Sequence, residues 1–400
     1  MLIVQKYGGT SVGTLERIQE VAKRIIKRKK EGNDIVVVVS AMSGETNKLT
    51  KMAYSFSENP KRREMDLLLS SGERVTSALL AILLTEMGCE TIAMSGRQAG
   101  IITDSVHTKA RIEHIDKSHI EKELKKGSIV VVAGFQGITE IGEVSTLGRG
   151  GSDLSAVAIA GALNANLCEI YTDVDGIYTT DPRIEPKAKK LNQISYDEML
   201  ELASLGAKVL QTRSVELAKK LNVNLVTRSS FNDNEGTYIL REEDIMEKPL
   251  VSGIALDKNQ ARVTLRGVSD KPGIAAEIFR KLAEDGVNVD MIIQNVGVDG
   301  TTNLGFTIPE NELEITRNAM EEIEASESLE FDKKVVKVSV VGVGMKSHSG
   351  VACTAFDTLA DENINIEMIS TSEIKVSMVI NEKYAELAVR SLHDAYKLDK

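Results

Sequence analysis

Two glycine-rich loops carry the residue types that bind phosphate. The first, Lys6–Ser11, follows an apolar run, and the second, Leu147–Asp153, precedes an amphipathic segment. Glycine lets a backbone approach a phosphate closely, and the N–H groups at a helix start point towards anions with the positive end of the dipole behind them. Each loop also contains a cation, Lys6 in one and Arg149 in the other. Together the loops predict a site that binds a polyphosphate.

Neither loop has the spacing of a common nucleotide-binding fingerprint. The sequence contains no Gly-x-x-x-x-Gly-Lys-[Ser/Thr] motif, and no Gly-x-Gly-x-x-Gly motif opens a helix. These are the patterns of the P-loop and of the dinucleotide-binding turn. The usual nucleoside-triphosphatase and dinucleotide-binding classes are therefore not indicated.

The elements that must position these loops are a mostly parallel sheet and its crossover helices. Helical patterns such as Leu15–Lys27 and Glu73–Glu86 separate apolar runs that do not alternate with polar residues. These runs are Leu2–Val4, Ile35–Val39, Thr91–Met94, Ile129–Ala133, Glu169–Tyr171 and Asn224–Val226. Such an order is typical of buried parallel strands with helical connections. Open sheets of this kind bind ligands beyond the carboxyl ends of their strands, so the loops that follow these strands are expected to meet there.

Composition and charge exclude several other classes. The 400 residues, 42% hydrophobic and 27% charged, allow two or three domains with a sizeable core. A net charge of -10 argues against a nucleic-acid-binding protein, whose binding surface would be basic. The three cysteines are scattered, without Cys-x-x-Cys spacing or a matching histidine cluster, so reduced thiols and no structural zinc are expected. With no signal peptide and no apolar run of about 18 residues, the sequence predicts a soluble cytoplasmic protein.

Four motifs resemble those of the aspartokinase family, in that family's order and at its approximate spacing. They are Lys6–Val12, Ser70–Arg74, Leu147–Asp153 and Tyr171–Arg183. The likeness extends over the whole chain. It implies the amino-acid-kinase fold for the first part and transfer of the γ-phosphoryl group of ATP to the β-carboxylate of L-aspartate, which opens lysine, threonine and methionine biosynthesis. Gln211 and Thr212 stand where many members have His-Pro, which resembles the lysine-sensitive Bacillus and Corynebacterium branch.

The resemblance also implies a set of site residues. Lys6 would offset charge on the transferred phosphoryl group, and Asp153 would orient Lys6 or help to hold magnesium. The implied aspartate-binding residues are Ser40, Thr46, Glu73, Arg149 and Ser152. The implied ATP-binding residues are Lys6, Gly8, Gly9, Thr172, Asp173, Tyr178, Arg183 and Lys208. Mg²⁺ is expected to arrive with ATP, without a metal site of the protein's own. A carboxylate is already an anionic nucleophile, so no general base is required.

Simpler structural roles compete with several of these assignments. Asp153 and Ser152 each suit a helix N-cap, and Glu73 suits the acidic first turn of a helix. Tyr178 alone would more often be a core aromatic, and Asp181–Arg183 alone would be a turn. The order of the family motifs favours the functional roles of Asp153 and Glu73.

From about Gly253 the sequence repeats itself. The step from Gly273 to Gly350, 77 residues, also separates Asn288 from Asn365. Each copy reads as a strand, a glycine-containing loop, a helix and a second strand. The pair resembles two ACT domains, which are βαββαβ modules that bind amino acids.

The loops before the two repeat helices are expected to receive an effector carboxylate at their N–H groups, with nearby polar side chains for its ammonium group. The residues predicted for effector binding are Asp270, Pro272, Gly273, Asn288, Asp290, Gln294, Ser347, Asn363, Asn365 and Glu367. The alternative is that these glycine and asparagine residues only form turns. By resemblance the effectors are lysine and threonine, bound where ACT domains of two chains meet, and the protein is a homo-oligomer.

The predicted domains are residues 1–245 for the kinase, 246–334 for the first ACT domain and 335–400 for the second. Ile254–Leu256 is expected to contribute a strand to the second copy. Met246 stands where an internal start would produce the regulatory half as a small subunit, and an ordinary linker methionine is the alternative.

Two other functions fit the same motifs less well. A kinase of the same fold that acts on acetylglutamate, glutamate, carbamate or a nucleotide would not explain Ser70–Arg74 and the double repeat. A non-catalytic amino-acid sensor would be expected to have damaged phosphate loops. Both loops are intact in Lys6, Gly8, Gly9, Arg149 and Asp153, which favours an enzyme.

Overall fold

The computed structural model of the chain describes residues 1–204, 209–246, 249–296, 300–323, 326–348 and 350–400. The described residues form two compact units. The first contains residues 1–177, 190–203 and 209–246, and the second contains residues 178–189, 204 and those from 249 onwards.

The described part of the first unit alternates strands with helices. Its strands are β1 Leu2–Tyr7, β2 Asp34–Val39, β3 Thr91–Met94, β4 Ile101–Thr103, β5 Ile112–Ile115, β6 Ile129–Ala133, β7 Gln136–Thr139, β8 Val144–Thr146, β9 Leu167–Thr172, β10 Gln193–Ser195, β11 Leu225–Ser229 and β12 Thr237–Leu240. Its helices are α1 Leu15–Lys30, α2 Glu45–Tyr54, α3 Arg62–Leu69, α4 Ser71–Glu86, α5 Ser118–Lys125, α6 Gly151–Ala162, α7 Tyr196–Ser204 and α8 Thr212–Leu221.

The main sheet has the strand order β10-β12-β11-β9-β1-β2-β6-β3. Its pairs are parallel except β11 with β12. Side chains of successive strand residues point to opposite faces. On β1, Ile3 and Tyr7 join the core that α1 and α4 cover, whereas Lys6 faces α6. The predicted fold class, a mostly parallel sheet with helices on both faces, is confirmed.

A second, smaller sheet has the order β5-β4-β7-β8. Its last strand, β8, runs directly into the second glycine-rich loop, because Thr146 is followed by Leu147-Gly148-Arg149. This small sheet therefore sets the position from which that loop departs.

Only Ser70 separates helices α3 and α4, and the stretch Arg62–Glu86 is long and apolar enough, by length and composition, to cross a membrane. Ser70–Arg74 interrupts the apolar residues of this stretch, which passes the test on average composition and not as a continuous apolar run. Within the described residues, however, 44% of its most apolar window is buried inside the protein, and Leu80 and Leu84 lie in the main core. Core helices of soluble proteins pass the same test of length and composition.

The second unit contains, in its described part, both copies of the repeat. Its strands are β13 Gly253–Ser269, β14 Ile292–Val296, β15 Thr301–Ile308, β16 Ser328–Val341, β17 Ile366–Thr371 and β18 Lys375–Asn381. Its helices are α9 Ile274–Glu284, α10 Leu313–Glu321, α11 Val351–Asp361 and α12 Ala385–Ala395.

The two copies share one sheet with the order β14-β15-β13-β16-β18-β17. The repeat is visible in the backbone, because Gly273 and Gly350 are the N-caps of α9 and α11 and both have φ 103°. The start of β13, Gly253–Asp257, pairs with the end of β16, and Ile254 packs in the core of the second copy. Each copy has its own hydrophobic core, one around Phe306 and one around Met378.

Candidate active site

Lys6 and Asp153 meet at the carboxyl edge of the main sheet. Lys6 lies near the end of β1 and Asp153 in the first turn of α6, and their charged atoms are 2.6 Å apart. Both side chains are almost fully buried, with 10% and 12% of their surface exposed. An ion pair removed from water in this way holds the ammonium group in one place.

Asp153 is not a helix cap. The N-cap of α6 is Gly150, with a left-handed φ of 72°, and the next three residues, Gly151, Ser152 and Asp153, already belong to the helix. The N-cap alternatives for Ser152 and Asp153 are therefore wrong. Asp153 has its carboxylate on Lys6 instead.

The loop after β1 has glycine where other side chains would collide. A Cβ on Gly8 would lie 3.3 Å from Lys6 Nζ, and one on Gly9 would lie 3.0 Å from the carbonyl oxygen of Ala41. The Gly8 N–H donates to the carbonyl of Tyr171 at 3.3 Å, so this donor is already used. Gly8 thus makes room beside Lys6 and joins β1 to β9.

Glu73 is buried beside the loop that follows β2. Its Oε1 accepts a hydrogen bond from the Ala41 N–H at 3.1 Å, while its Oε2 is buried with no hydrogen-bond partner among the described residues. Burial raises the pKa of Glu73 to about 7, and the bond from Ala41 lowers it. Glu73 does lie in the first turn of α4, but its carboxylate is turned inwards. An orphan buried oxygen of this kind is suited to a ligand's ammonium group.

Ser40 and Thr46 flank the same loop. Ser40 directly follows β2, is half-buried and donates its N–H to the Tyr7 carbonyl at 3.0 Å. Thr46 lies in the first turn of α2 and is half-buried. Both positions are on the loop and helix that adjoin Glu73.

The second glycine-rich loop is shaped by close packing. A Cβ on Gly134 would lie 3.0 Å from Ser152 Oγ, and one on Gly150 would lie 2.6 Å from Gln211 Cγ. Gln211 also donates to the Arg149 carbonyl at 2.7 Å. The Arg149 side chain is exposed, so its guanidinium can meet a ligand from solution.

Asp66 is a site residue that sequence reasoning missed. It lies on α3, is fully buried, and accepts hydrogen bonds from the N–H of Thr108 at 3.0 and 3.1 Å, from Thr146 Oγ1 at 2.5 Å and from the His107 ring at 2.7 Å. Thr146 ends β8, and a Cβ on Gly148 would lie 3.1 Å from the Thr108 carbonyl. Asp66 therefore anchors both segments that support the Arg149 loop. Its position within an apolar helical segment could have indicated a buried, hydrogen-bonded acid.

The predicted nucleotide residues are distributed over both units. Thr172 ends β9, and its Oγ1 accepts from the Val174 N–H at 3.1 Å, with the exposed Asp173 between them. Tyr178 and Arg183 belong to the second unit. Arg183 is 89% exposed and pairs with Asp181 at 2.7 Å. Lys208 lies outside the described residues.

Several predicted effector residues are already paired within the second unit. Asn288 bonds through its N–H and its side chain to Glu312, at 2.7 and 3.1 Å. Asp290 pairs with the buried Lys337, and Glu367 with Arg262 at 2.6 Å. Asp290 therefore pairs with a residue of β16 and Glu367 with a residue of β13, the two central strands of the shared sheet.

The other predicted effector residues are mostly exposed. Asp270, Pro272 and Gly273 form the exposed approach to α9, while Gln294, Asn363 and Asn365 are exposed on β14 and before β17. Asn363 has φ 55°, a conformation of turns, and Ser347 ends the short helix Val343–Ser347.

No group of three or more His, Cys, Asp or Glu side chains that could hold a metal ion occurs among the described residues. The described part of the first unit instead brings together a buried cation, Lys6, its buried partner Asp153 and two glycine-rich loops, which is an arrangement suited to phosphate. A metal ion at such a site would be bound mainly by the phosphate oxygens.

Comparison with known proteins shows which family the chain resembles. A family model described as the amino acid kinase family matches residues 1–228, and an ACT domain model matches residues 263–323 and 338–396. The aspartokinase of Helicobacter pylori is 61% identical, with 100% of each chain covered. The aspartokinase of Corynebacterium glutamicum is 48% identical over 99% of this chain and 96% of that protein.

Solved structures give the same result for the fold. The structure of Escherichia coli aspartokinase III with aspartate and ADP superposes with a TM-score of 0.83, at 25% identity and with 99% of each chain covered. The structure of the same enzyme with lysine and aspartate gives a TM-score of 0.78, at 25% identity, over 98% of this chain and 99% of that one. Both family models match, and relatives at 48% and 61% identity are covered over nearly their whole length, so the chain belongs to the aspartokinase family.

Proposed function

We propose that the protein transfers the γ-phosphoryl group of ATP to the β-carboxylate of L-aspartate and forms 4-phospho-L-aspartate, as the first step of lysine, threonine and methionine biosynthesis. The observation that carries the proposal is the buried pair of Lys6 and Asp153 beside two glycine-rich loops. Phosphoryl transfer needs positioning and neutralisation of charge more than it needs proton transfer. A carboxylate nucleophile requires no base, which agrees with a site built around a lysine.

L-aspartate would be bound by one cationic and one acidic side chain, each matched to a ligand group of the opposite charge. Arg149 offers a planar fork for a carboxylate. Glu73 offers the ammonium group its buried Oε2, which accepts no hydrogen bond from the residues that the structure describes. Ser40, Thr46 and Ser152 would complete the contacts through their hydroxyl groups.

ATP would place its phosphates between Lys6 and the glycine-rich loops, with Gly9 allowing the closest approach. Thr172, Asp173, Tyr178, Arg183 and Lys208 are proposed for the rest of the nucleotide. Because the Arg183 guanidinium is paired with Asp181, it would have to bind the nucleotide alongside this ion pair or break it. Mg²⁺ bound to the phosphates would neutralise their charge, and Asp153 is the buried carboxylate in reach of this region.

The test is ATP consumption with L-aspartate, with the acyl phosphate trapped by hydroxylamine as aspartyl hydroxamate. Hydroxamate formed only with aspartate supports the proposal. Product with glutamate, acetylglutamate or carbamate in place of aspartate would assign the chain to a different kinase of the same fold. A lack of product with every acceptor would favour the amino-acid sensor.

We further propose feedback inhibition by lysine, with threonine as co-inhibitor, at the ACT domains. Support comes from the two ACT modules and from lysine in the E. coli aspartokinase III structure. Inhibition requires that the effector binds the less active arrangement more tightly. Because Asn288 and Asp290 are already paired, an effector ammonium group would have to compete with Lys337 for Asp290. Aspartyl hydroxamate should fall when lysine and threonine are added together, and unchanged product would contradict the proposal.

The proposed assembly is a cytoplasmic homo-oligomer with domains at 1–245, 246–334 and 335–400. Strands β14 and β17 are the two edges of the shared sheet, and sheet edges with unpaired N–H and C=O groups can pair with another chain.

An internal start at Met246, which would produce the regulatory half as a separate small subunit, is proposed as a hypothesis. Met246 is 97% exposed. A single product from the native gene, with no small chain beginning near Met246, would exclude it.

A further inference from the structure

One face of α1 lines a cavity in which cations outnumber acids. The cavity has a volume of about 320 Å³ and lies between α1, the end of β9 and the segment after β11. Six of its lining residues are cations, namely Arg17, Lys23, Arg24, Lys27, Arg28 and Arg228, and three are acids. With the buried Glu169, which contacts Arg28 and Arg228 from below, the surroundings of the cavity have a net charge of +2 (six minus four), in a chain whose net charge is -10.

The acids around the cavity do not occupy all of the available donors. Arg24 pairs with Asp233 at 3.0 Å, and Arg28 pairs with the fully buried Glu169 below the cavity. The Nε atoms of Arg17 and Arg228, in contrast, are buried and have no hydrogen-bond partner within the described chain. Glu169 lies 3.6 Å from Arg228 Nε, which is a charge contact rather than a hydrogen bond.

Stacking holds two of the guanidinium groups at the cavity in fixed positions. The Nε atoms of Arg17 and Arg228 are buried from solvent, so an anion in the cavity would meet the terminal nitrogens of these groups instead. The Arg17 guanidinium is held over the Phe231 ring at 4.0 Å, and that of Arg24 over Tyr171 at 5.3 Å. Stacked guanidinium groups are fixed in orientation and suit the oxygens of a phosphate.

We propose that this cavity binds a phosphate-class anion, either free phosphate or a phosphomonoester, at Arg17, Arg24 and Arg228. The exposed Lys23 and Lys27 at its rim add long-range attraction. This anion site is separate from the pair of Lys6 and Asp153. Tyr7 on β1 and Tyr171 on β9 lie on one face of the main sheet, and the pair lies on the other face.

The cavity is also connected to the predicted nucleotide loop. Arg17 donates to the Ser230 carbonyl at 2.7 Å, and the N–H and Oγ of Ser230 both donate to the Thr172 carbonyl, at 2.9 and 3.2 Å. An anion that reorients Arg17 would therefore act on Thr172 and alter the KM for ATP. This second effect rests on the proposed function, whereas binding of the anion does not.

The test is calorimetric titration of the full-length protein with inorganic phosphate, with Mg²⁺, aspartate and a non-hydrolysable ATP analogue present at saturation to fill the kinase site. Arg17→Gln should weaken binding about tenfold, because a charge-assisted bond is lost. Lys27→Gln, an exposed position, should weaken it by roughly threefold and keeps the test valid if Arg17→Gln does not fold. Lys122→Gln, on α5, is the matched control and should bind as the parent does.

The same titration distinguishes the source of the anion. Tighter binding of phenyl phosphate than of inorganic phosphate would support a phosphomonoester, and the reverse would support free phosphate. Absence of binding by the parent, or equal binding by the parent, Arg17→Gln and Lys27→Gln, would overturn the proposal. Normal phosphate binding in a protein that phosphorylates no acceptor would instead count against the proposed kinase function alone.

Discussion

Lys6 is a buried cation whose charge is balanced by one carboxylate, Asp153, at 2.6 Å. In surroundings with little water this attraction holds the ammonium group where a phosphoryl group would meet it. Substitution of Lys6 therefore tests whether its charge acts on the transition state.

Lys6→Ala should lower turnover by roughly 10²–10³-fold, the cost of removing one preorganised donor from a developing charge. Aspartate should still bind, because its proposed contacts lie on other residues. Steady-state kinetics with calorimetric binding of aspartate separates the two effects. Lys122→Ala, an exposed lysine on α5, is the control, and unchanged turnover in Lys6→Ala would remove Lys6 from the reaction.

Glu73 should make stability depend on pH. Its pKa in the folded protein is about 7, raised by burial from an ordinary value of 4.5. The folded state therefore binds this proton more tightly than the unfolded state, so the free energy of unfolding should fall as pH rises from 4.5 to 7. Urea midpoints measured across this window should show less decline in Glu73→Gln than in the parent. Glu86→Gln, an exposed position on the same helix, should follow the parent, and parallel curves for all three would contradict the buried carboxyl.

At the scale of elements, the sequence patterns located the strands of the main sheet well. All six predicted apolar runs lie in or overlap strands, because continuous β-branched runs are a strong local signal. The support of the Arg149 loop was not predictable in this way. Asp66, Thr108 and Thr146 meet across α3 and the small sheet, and no local spacing encodes such a contact.

Asp66→Asn should raise the KM for aspartate more than it lowers kcat, because the Arg149 loop loses its anchor at Thr146 and Thr108. An amide cannot accept all of these bonds, so unfolding should also become easier by about 2–3 kcal/mol. Asp116→Ala, which removes the side-chain acceptor of the Ser118 N–H after the end of β5, serves as a control for destabilisation alone. An equal change of KM in both variants would show that Asp66 has no positioning role.

Gly150→Ala should destabilise the start of α6 for two separable reasons. Its φ of 72° costs a non-glycine residue about 1–2 kcal/mol, and its Cβ would lie 2.6 Å from the Gln211 side chain. Adding Gln211→Gly, which also removes the Gln211 Cβ at 2.8 Å, should recover the part due to the clash and leave the backbone part. Thermal unfolding of the two single variants and the double variant measures both, and strictly additive losses would exclude the clash.

At the scale of the whole molecule, catalysis and amino-acid binding are expected on different units. Asp290 and Glu367, two of the predicted effector residues, have ion-pair partners on the shared strands, Lys337 on β16 and Arg262 on β13. Effector binding there would alter contacts between the two copies of the repeat.

Coupling between lysine and the substrates should be reciprocal. If lysine weakens the binding of aspartate and the ATP analogue by some factor, these ligands together should weaken lysine binding by the same factor. Calorimetric titration of lysine with and without them measures this. Lysine binding that is insensitive to the substrates, in a protein whose substrate binding does respond to lysine, would violate the linkage and point to a second lysine site.

The sequence by itself determined the fold class, the family and the repeat, because these depend on the order of motifs and on periodic apolar residues. It also identified Lys6, Asp153 and Glu73 as site candidates. Only the tertiary structure decided which groups are in use: Gly8 bonds to Tyr171, Glu73 to Ala41, and Asp290 to Lys337. Each of these contacts joins residues far apart in the chain, and their formation depends on burial and packing, which a local pattern does not contain.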